Sequence, residues 1–252
     1  MKALLRWMLL VLIAGLGVQL YFVSRIALMA VVDPQSTAFQ RSEIYRLATE
    51  QGSLKWRQQW VPYSELSDKL KRAVIASEDA TFIEHEGVDV EALEKAWEKN
   101  TQAEQRAEKS ASRLGSKAAP TGSSKASRPP KVVGGSTITQ QLAKNLFLSG
   151  ERTLMRKGEE LVLTLLLEAL LDKQRILEIY LNNVEWGEGV FGAEAAAQHY
   201  FRKPAAKLSA YEAARLAVML PRPKYFETRP GSGYLASRAS TIAARMGGVE
   251  VP

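Results

Sequence analysis

The chain has 252 residues, 46% of them hydrophobic, no cysteine, and a formal net charge of +7 with a pI near 9.5. A disulfide framework and a thiolate zinc site are excluded, and with two histidines a histidine metal site is not expected. The basic balance suits an anionic lipid or a phosphorylated substrate; no compact motif supports nucleic acid, and a merely solvated basic surface is the alternative.

Lys2 and Arg6 precede residues 7–24, eighteen positions without a charge. At the helical rise that run spans about 27 Å, enough for a thin hydrocarbon layer. Basic residues ahead of it predict a cytoplasmic tail at 1–6, a transmembrane anchor at 7–24, and the remainder outside the cytoplasm. A cleaved signal peptide is the alternative, but the run is long for one and no A-x-A site follows within residues 1–32. Residues 26–32 are apolar but too short to span, so they either lie in the membrane interface or extend the helix until Asp33-Pro34 ends it.

Residues 25–63 read as a membrane-proximal lead-in carrying Trp56, Trp60 and Tyr63, with a short helix at 40–50. Ser64 reads as the N-cap of a helix that places Leu66, Leu70, Ala73, Val74 and Ser77 on one face and ends at Glu78. A helix is predicted at 90–100. Residues 101–131, rich in Ala, Ser, Lys, Arg and Gln with three prolines, read as a mobile basic insertion. Helices follow at 138–148 and 153–171. Residues 161–171 are apolar nearly all round, which predicts a fully buried core helix. Helical pattern continues through 172–182. Glycines 187, 189 and 192 mark a loop, 193–201 is a small-residue helix, and Ser209 with Glu212 forms a capping box. No alternating run is long enough for a sheet, so the fold class is mainly α, with one domain at 64–252.

Three clusters carry chemistry. In E-D-x-x-F-x-x-H-x-G-x-D (Glu78, Asp79, Phe82, His85, Gly87, Asp89), an acidic pair ends an apolar helix face. A neighbouring carboxylate and burial both raise a carboxylate's pKa, which suits Glu78 to general-base work near neutral pH. The plainer reading is an exposed acidic pair at a helix end. The stretch GGSTITQQLAKN, residues 134–145, lets backbone approach a ligand at its glycines. It offers Ser136, Thr137, Gln140, Lys144 and Asn145 to sugar hydroxyls or phosphate oxygens; the plainer reading is a Gly-rich turn with a Ser or Thr cap. In RTLMRKGEEL, Arg152, Arg156, Lys157, Glu159 and Glu160 crowd together. Guanidinium grips phosphate in bidentate fashion, so a diphosphate is the obvious guest, against a solvated charged face held by i, i+4 pairs.

Together these motifs, with ILEIYLNNVEWGEGVFGAEAAAQHYF at residues 176–201, resemble the peptidoglycan glycosyltransferases of glycosyltransferase family 51 over about residues 60–230. The resemblance implies a lysozyme-like helical glycosyltransferase domain behind one N-terminal transmembrane helix. It implies that Glu78 is the catalytic base, that Glu160 is the second essential carboxylate, and that Lys144, Arg152 and Lys157 contact a diphosphate. Asp79, Ser136, Thr137, Gln140, Asn145 and Arg156 are then substrate-binding candidates, and Asn182 or Asn183 further contacts. The implied substrates are lipid II and the nascent glycan strand. No cofactor is required, although a divalent cation, Mg or Mn, could assist at the diphosphate. The expected setting is the bacterial inner membrane, single-pass, with the domain on the periplasmic side among cell-wall synthesis or division proteins. Val133 and Glu159 depart from the family pattern, which usually has Gln and a basic residue there. No S-x-x-K is present, so no transpeptidase activity is expected. A lytic peptidoglycan glycosidase and a non-catalytic membrane-anchored scaffold are the competing readings.

Overall fold

The computed structural model describes residues 1–50, 52, 55–115, 135–148 and 153–252. Its contacts define two compact units, Met1–Val88 with Thr137–Pro252, and Asp89–Ser136.

The larger unit begins with α1 (Lys2–Leu28), long and apolar enough to cross a membrane and exposed along nearly all its length. Only its end is buried: Ile26 and Met29 enter the domain core. Residues 26–32, expected either to lie in the membrane interface or to extend the helix, are divided: the helix runs on to Leu28, Ile26 and Met29 are buried, and Leu28, Val31 and Val32 are exposed. Arg175 holds the exit of the helix. Its guanidinium donates to Met29 O at 2.7 Å, pairs with Asp33 at 2.7 Å and Glu178 at 2.6 Å, and lies over the Trp60 ring at 5.5 Å. α2 (Ala38–Glu50) opens on a reciprocal cap: Thr37 N–H donates to Gln40 Oε1 at 2.9 Å, and Gln40 N–H to Thr37 Oγ1 at 3.0 Å.

After β1 (Arg57–Gln58), a 3-10 turn at Tyr63–Glu65 precedes α3 (Asp68–Glu78), so the helix starts at Ser67, one turn later than the reading from Ser64. Leu70, Ala73, Val74 and Ile75 are buried in the core, and α3 packs against two helices of the carboxy-terminal half, described below.

The smaller unit contains α4 (Val90–Gly115), whose first N–H groups are capped by Asp89 Oδ1, 2.7 Å from Ala92 N. It continues well beyond the residue 100 expected from sequence. Its stretch at 101–115 is rich in Ala, Gln, Glu, Lys and Arg, with no Pro and no Gly before Gly115, a composition that suits a helix as readily as a coil. Residues 116–131 of the expected insertion lie outside the described residues.

Back in the larger unit, α5 (Ile138–Phe147) packs on α2 and on α6 (Leu154–Leu170), and α6 also receives α1. α6 is not the fully buried helix its composition predicts. Leu163 and Leu167 are buried, but Leu165 is 49% exposed, and Leu161 and Val162 43%. A helix apolar on both faces buries only the face that has a partner. α7 (Lys173–Asn183) is separate, since the Asp172 carboxylate accepts from Arg175 N at 2.7 Å and starts a new helix.

β2 (Glu185–Gly187) and β3 (Val190–Phe191) complete a small sheet in the order β1-β3-β2, β1 parallel and β2 antiparallel to β3. Sequence analysis expected no sheet, and strands of two or three residues hold no readable alternation. Gly192 turns from β3 into α8 (Ala193–Phe201) at φ 82°, where a Cβ would stand 2.7 Å from Asn182 O. The predicted capping box at Ser209 and Glu212 opens α9 (Ala210–Met219). α10 (Pro223–Glu227) and α11 (Gly233–Arg245) follow, and α9 and α11 are the helices that pack on α3.

Candidate active site

Glu78 ends α3 half-buried, with Asp79 next in chain. Asp79 is 7% exposed and both its oxygens are engaged. Oδ2 accepts from Ile138 N–H at 2.9 Å, and Oδ1 pairs with His85 Nε2 at 2.9 Å. Gly87 N–H donates to His85 Nδ1 at 3.1 Å, so Nε2 carries the proton that meets Asp79. Asp79 therefore ties the end of α3 to the start of α5, and of the acidic pair Glu78 is the one left partly exposed.

Thr137 and Gln140 are also spent on the helix start. Thr137 Oγ1 accepts from Gln140 N–H, Gln140 Oε1 accepts from Thr137 N–H at 3.2 Å, and the threonine hydroxyl donates to Gly87 O at 2.6 Å. The neighbouring Gln141 reaches Glu78 instead: its Nε2 donates to Glu78 Oε2 at 3.2 Å, while its Oε1 accepts from Tyr180 OH at 2.9 Å. Burial, with the charges of Glu78 and Asp79 added, keeps the Tyr180 phenol protonated far above its ordinary range. That fixed donor orients the amide with its N–H toward Glu78. Gln141 and Tyr180 were not candidates in the sequence. For Gln141 the signal was present, since T-x-x-Q is itself a capping box and would have assigned Gln140 to the helix.

Burial is the main cause raising the Glu78 pKa above its usual value. Hydrogen bonds from Gln141 and Ser77 oppose it, Asp79's charge adds to it, and Arg238 on α11 works against it. One turn beyond Gln141, Lys144 extends to the surface from a crowded setting. Desolvation lowers its ammonium pKa, Glu160 resists, and Arg156 and Lys157 add to the lowering.

Glu160 is 4% exposed on α6 and holds two cations, Arg156 at 3.3 Å and Lys157 in a short contact. A buried carboxylate beside a diphosphate would repel it; bonded to two cations, it positions them. Lys144, Asn145 and Arg156 line one cavity of about 420 Å³ with Gln141 and Glu185. Of the remaining candidates, Ser136 belongs to the smaller unit and Arg152 lies outside the described residues.

Asn182 and Asn183 are not exposed to a ligand. Asn182 exchanges hydrogen bonds with Val61 at 2.9 Å in both directions, and Asn183 Oδ1 accepts from Gln40 and Gln58 at 3.3 Å. They fasten the lead-in to α7. Among the described residues no group of three His, Cys, Asp or Glu side chains is placed to hold a metal ion.

The arrangement has a desolvated carboxylate held by an amide, next to a cluster of cations around one acid. A family model described as "Transglycosylase" matches residues 45–119 and 116–247. A "Biosynthetic peptidoglycan transglycosylase" of Burkholderia thailandensis is 54% identical over 239 residues, 95% of this chain and 84% of that protein. Proteins with the same description from Burkholderia pseudomallei and Burkholderia orbicola are 52% and 50% identical over 95% of this chain, covering 84% and 87% of their own lengths. The chain belongs to the transglycosylase family.

Proposed function

We propose that the chain is a membrane-anchored peptidoglycan glycosyltransferase that polymerises lipid II, a disaccharide-peptide on undecaprenyl diphosphate, into β-1,4-linked glycan strands. The observation that carries this reading is the desolvated Glu78, held by Gln141 beside the cavity of Lys144 and Arg156. The biosynthetic relatives support it and disfavour a lytic glycosidase, which would not need a cationic cluster suited to diphosphate.

Glu78 removes the proton from the 4-hydroxyl of the acceptor sugar. That oxygen forms a bond to the anomeric carbon of the donor as the bond to the diphosphate breaks, inverting the centre. Charge growing on the leaving diphosphate is met by Lys144, Arg156 and Lys157, the last two positioned by Glu160. Glu160, committed to Arg156 and Lys157, is not free to hold a divalent cation at the diphosphate. In this reading α1 spans the cytoplasmic membrane with the domain on the periplasmic side. A substrate with a polyprenyl tail then shares the bilayer with its enzyme.

Turnover of labelled lipid II by the detergent-purified chain tests the proposal, with Glu78→Gln alongside. The substitution should lower kcat by about 10²–10⁴-fold with the fold intact. Digestion of isolated cell wall without polymer formation would make the chain lytic, and an active Glu78→Gln would remove the proposed base.

A further inference from the structure

Two buried polar atoms among the described residues have no hydrogen-bond partner, Arg156 Nε and Glu185 Oε1. Both residues line the cavity that Lys144 and Gln141 also line. Glu185, the first residue of β2, is 7% exposed. Lys224 Nζ forms an ion pair with Oε1 at 3.3 Å, but it is also bonded to Glu43 at 2.5 Å and does not meet that oxygen in hydrogen-bond geometry. A buried carboxylate oxygen without a hydrogen-bond donor is costly, and a ligand that supplies the donor is one explanation for it. The cavity thus offers cations from α5 and α6 and an unfilled acceptor from β2. A ligand that satisfies both carries an anionic end and, a short distance away, an O–H or N–H. A hexosamine 1-diphosphate has that construction.

We propose that Glu185 is a specificity-determining residue that accepts a hydrogen bond from a hydroxyl or acetamido N–H of the hexosamine whose diphosphate lies on Lys144 and Arg156. The inference rests on the polymerase reading of the same site. Several charged groups act on Glu185. Glu43 and Arg46 act from α2, Lys224 from α10 with Arg222 just before it, and Tyr200 stands on α8. Lys144 and Arg156 share the cavity. Burial raises the Glu185 pKa to about 7, Lys224 works against that, and Glu43 adds to it. A donor on the ligand favours the ionised acceptor, so binding should tighten as pH rises through that value.

The test is steady-state polymerisation of lipid II by the full chain in detergent, with KM and kcat followed from about pH 6 to about pH 8. Wild-type KM should fall across that range. Glu185→Gln should flatten the response and raise KM by about tenfold at the upper end, with kcat changed less than about twofold. Glu185→Asp, which keeps the charge, should retain the pH response. A Glu185→Gln protein with wild-type KM and pH response overturns the inference. So does one that only melts earlier, which would make Glu185 a strut between β2 and α10. Absence of polymer from the wild type would remove the polymerase reading and this one together, whereas polymer with an unresponsive variant removes this one alone.

Discussion

Glu78 ionises less readily in the folded chain than in the unfolded one, because burial raises its pKa from 4.5. For a raised carboxylate the sign is fixed. Its contribution to stability is fully present below the unfolded value and is lost as pH rises through the folded one. Glu78→Gln should therefore melt higher than wild type at neutral pH, with the difference vanishing near pH 4. A gain that persists in acid would show that burial is not its source. In the proposed mechanism the same shift should move the acid limb of the rate profile above the usual carboxylate range, since a base acts only when deprotonated. The raised pKa of Glu78 was legible from its motif. The buried setting of Glu185 was not, because nothing local marks it; it comes from the packing of β2 on α10, with Glu43 of α2 acting on it through its charge.

Helix starts carry much of the site's precision. Thr137, Asp172 and Ser209 each place a side-chain oxygen on a backbone N–H three residues on, and each belongs to a residue class that sequence alone can flag. The approach to α5 depends on Gly87 as well. It sits at φ 86°, its carbonyl accepts from Thr137, and a Cβ there would stand 2.7 Å from Thr164 Cγ2 and 2.9 Å from Glu168 Cγ. Gly87→Ala should cost about 1–3 kcal/mol in urea unfolding. It should also lower kcat, since α5 carries Gln141 and Lys144. Unchanged stability would mean that α6 yields freely at Thr164 and Glu168. The extents of α4 and α6 were harder to read, because helix-forming composition does not say which face finds a partner.

At the scale of the whole molecule, the order of helices and the long apolar first helix followed from hydropathy and spacing, while the three-stranded sheet did not. Joining α1 to the domain is a task of long-range contacts. Arg175 is 146 residues from Met29 along the chain, and no local pattern announces their bond. Arg175→Ala should leave kcat on detergent-dispersed lipid II near wild type while making the peptide bonds around Asp33 sensitive to protease. Equal resistance of the two proteins would show that other contacts hold the joint.

That joint makes α1 a mast and not a leash. In the proposed membrane setting, Ile26 and Met29 in the core and Arg175 at the helix exit hold the groove at one height above the bilayer. Substrate then arrives by lateral drift alone, with no vertical search, and the encounter is planar. Flexible residues inserted between Met29 and Asp33 should slow turnover in vesicles and leave it unchanged in micelles, where there is no plane to keep.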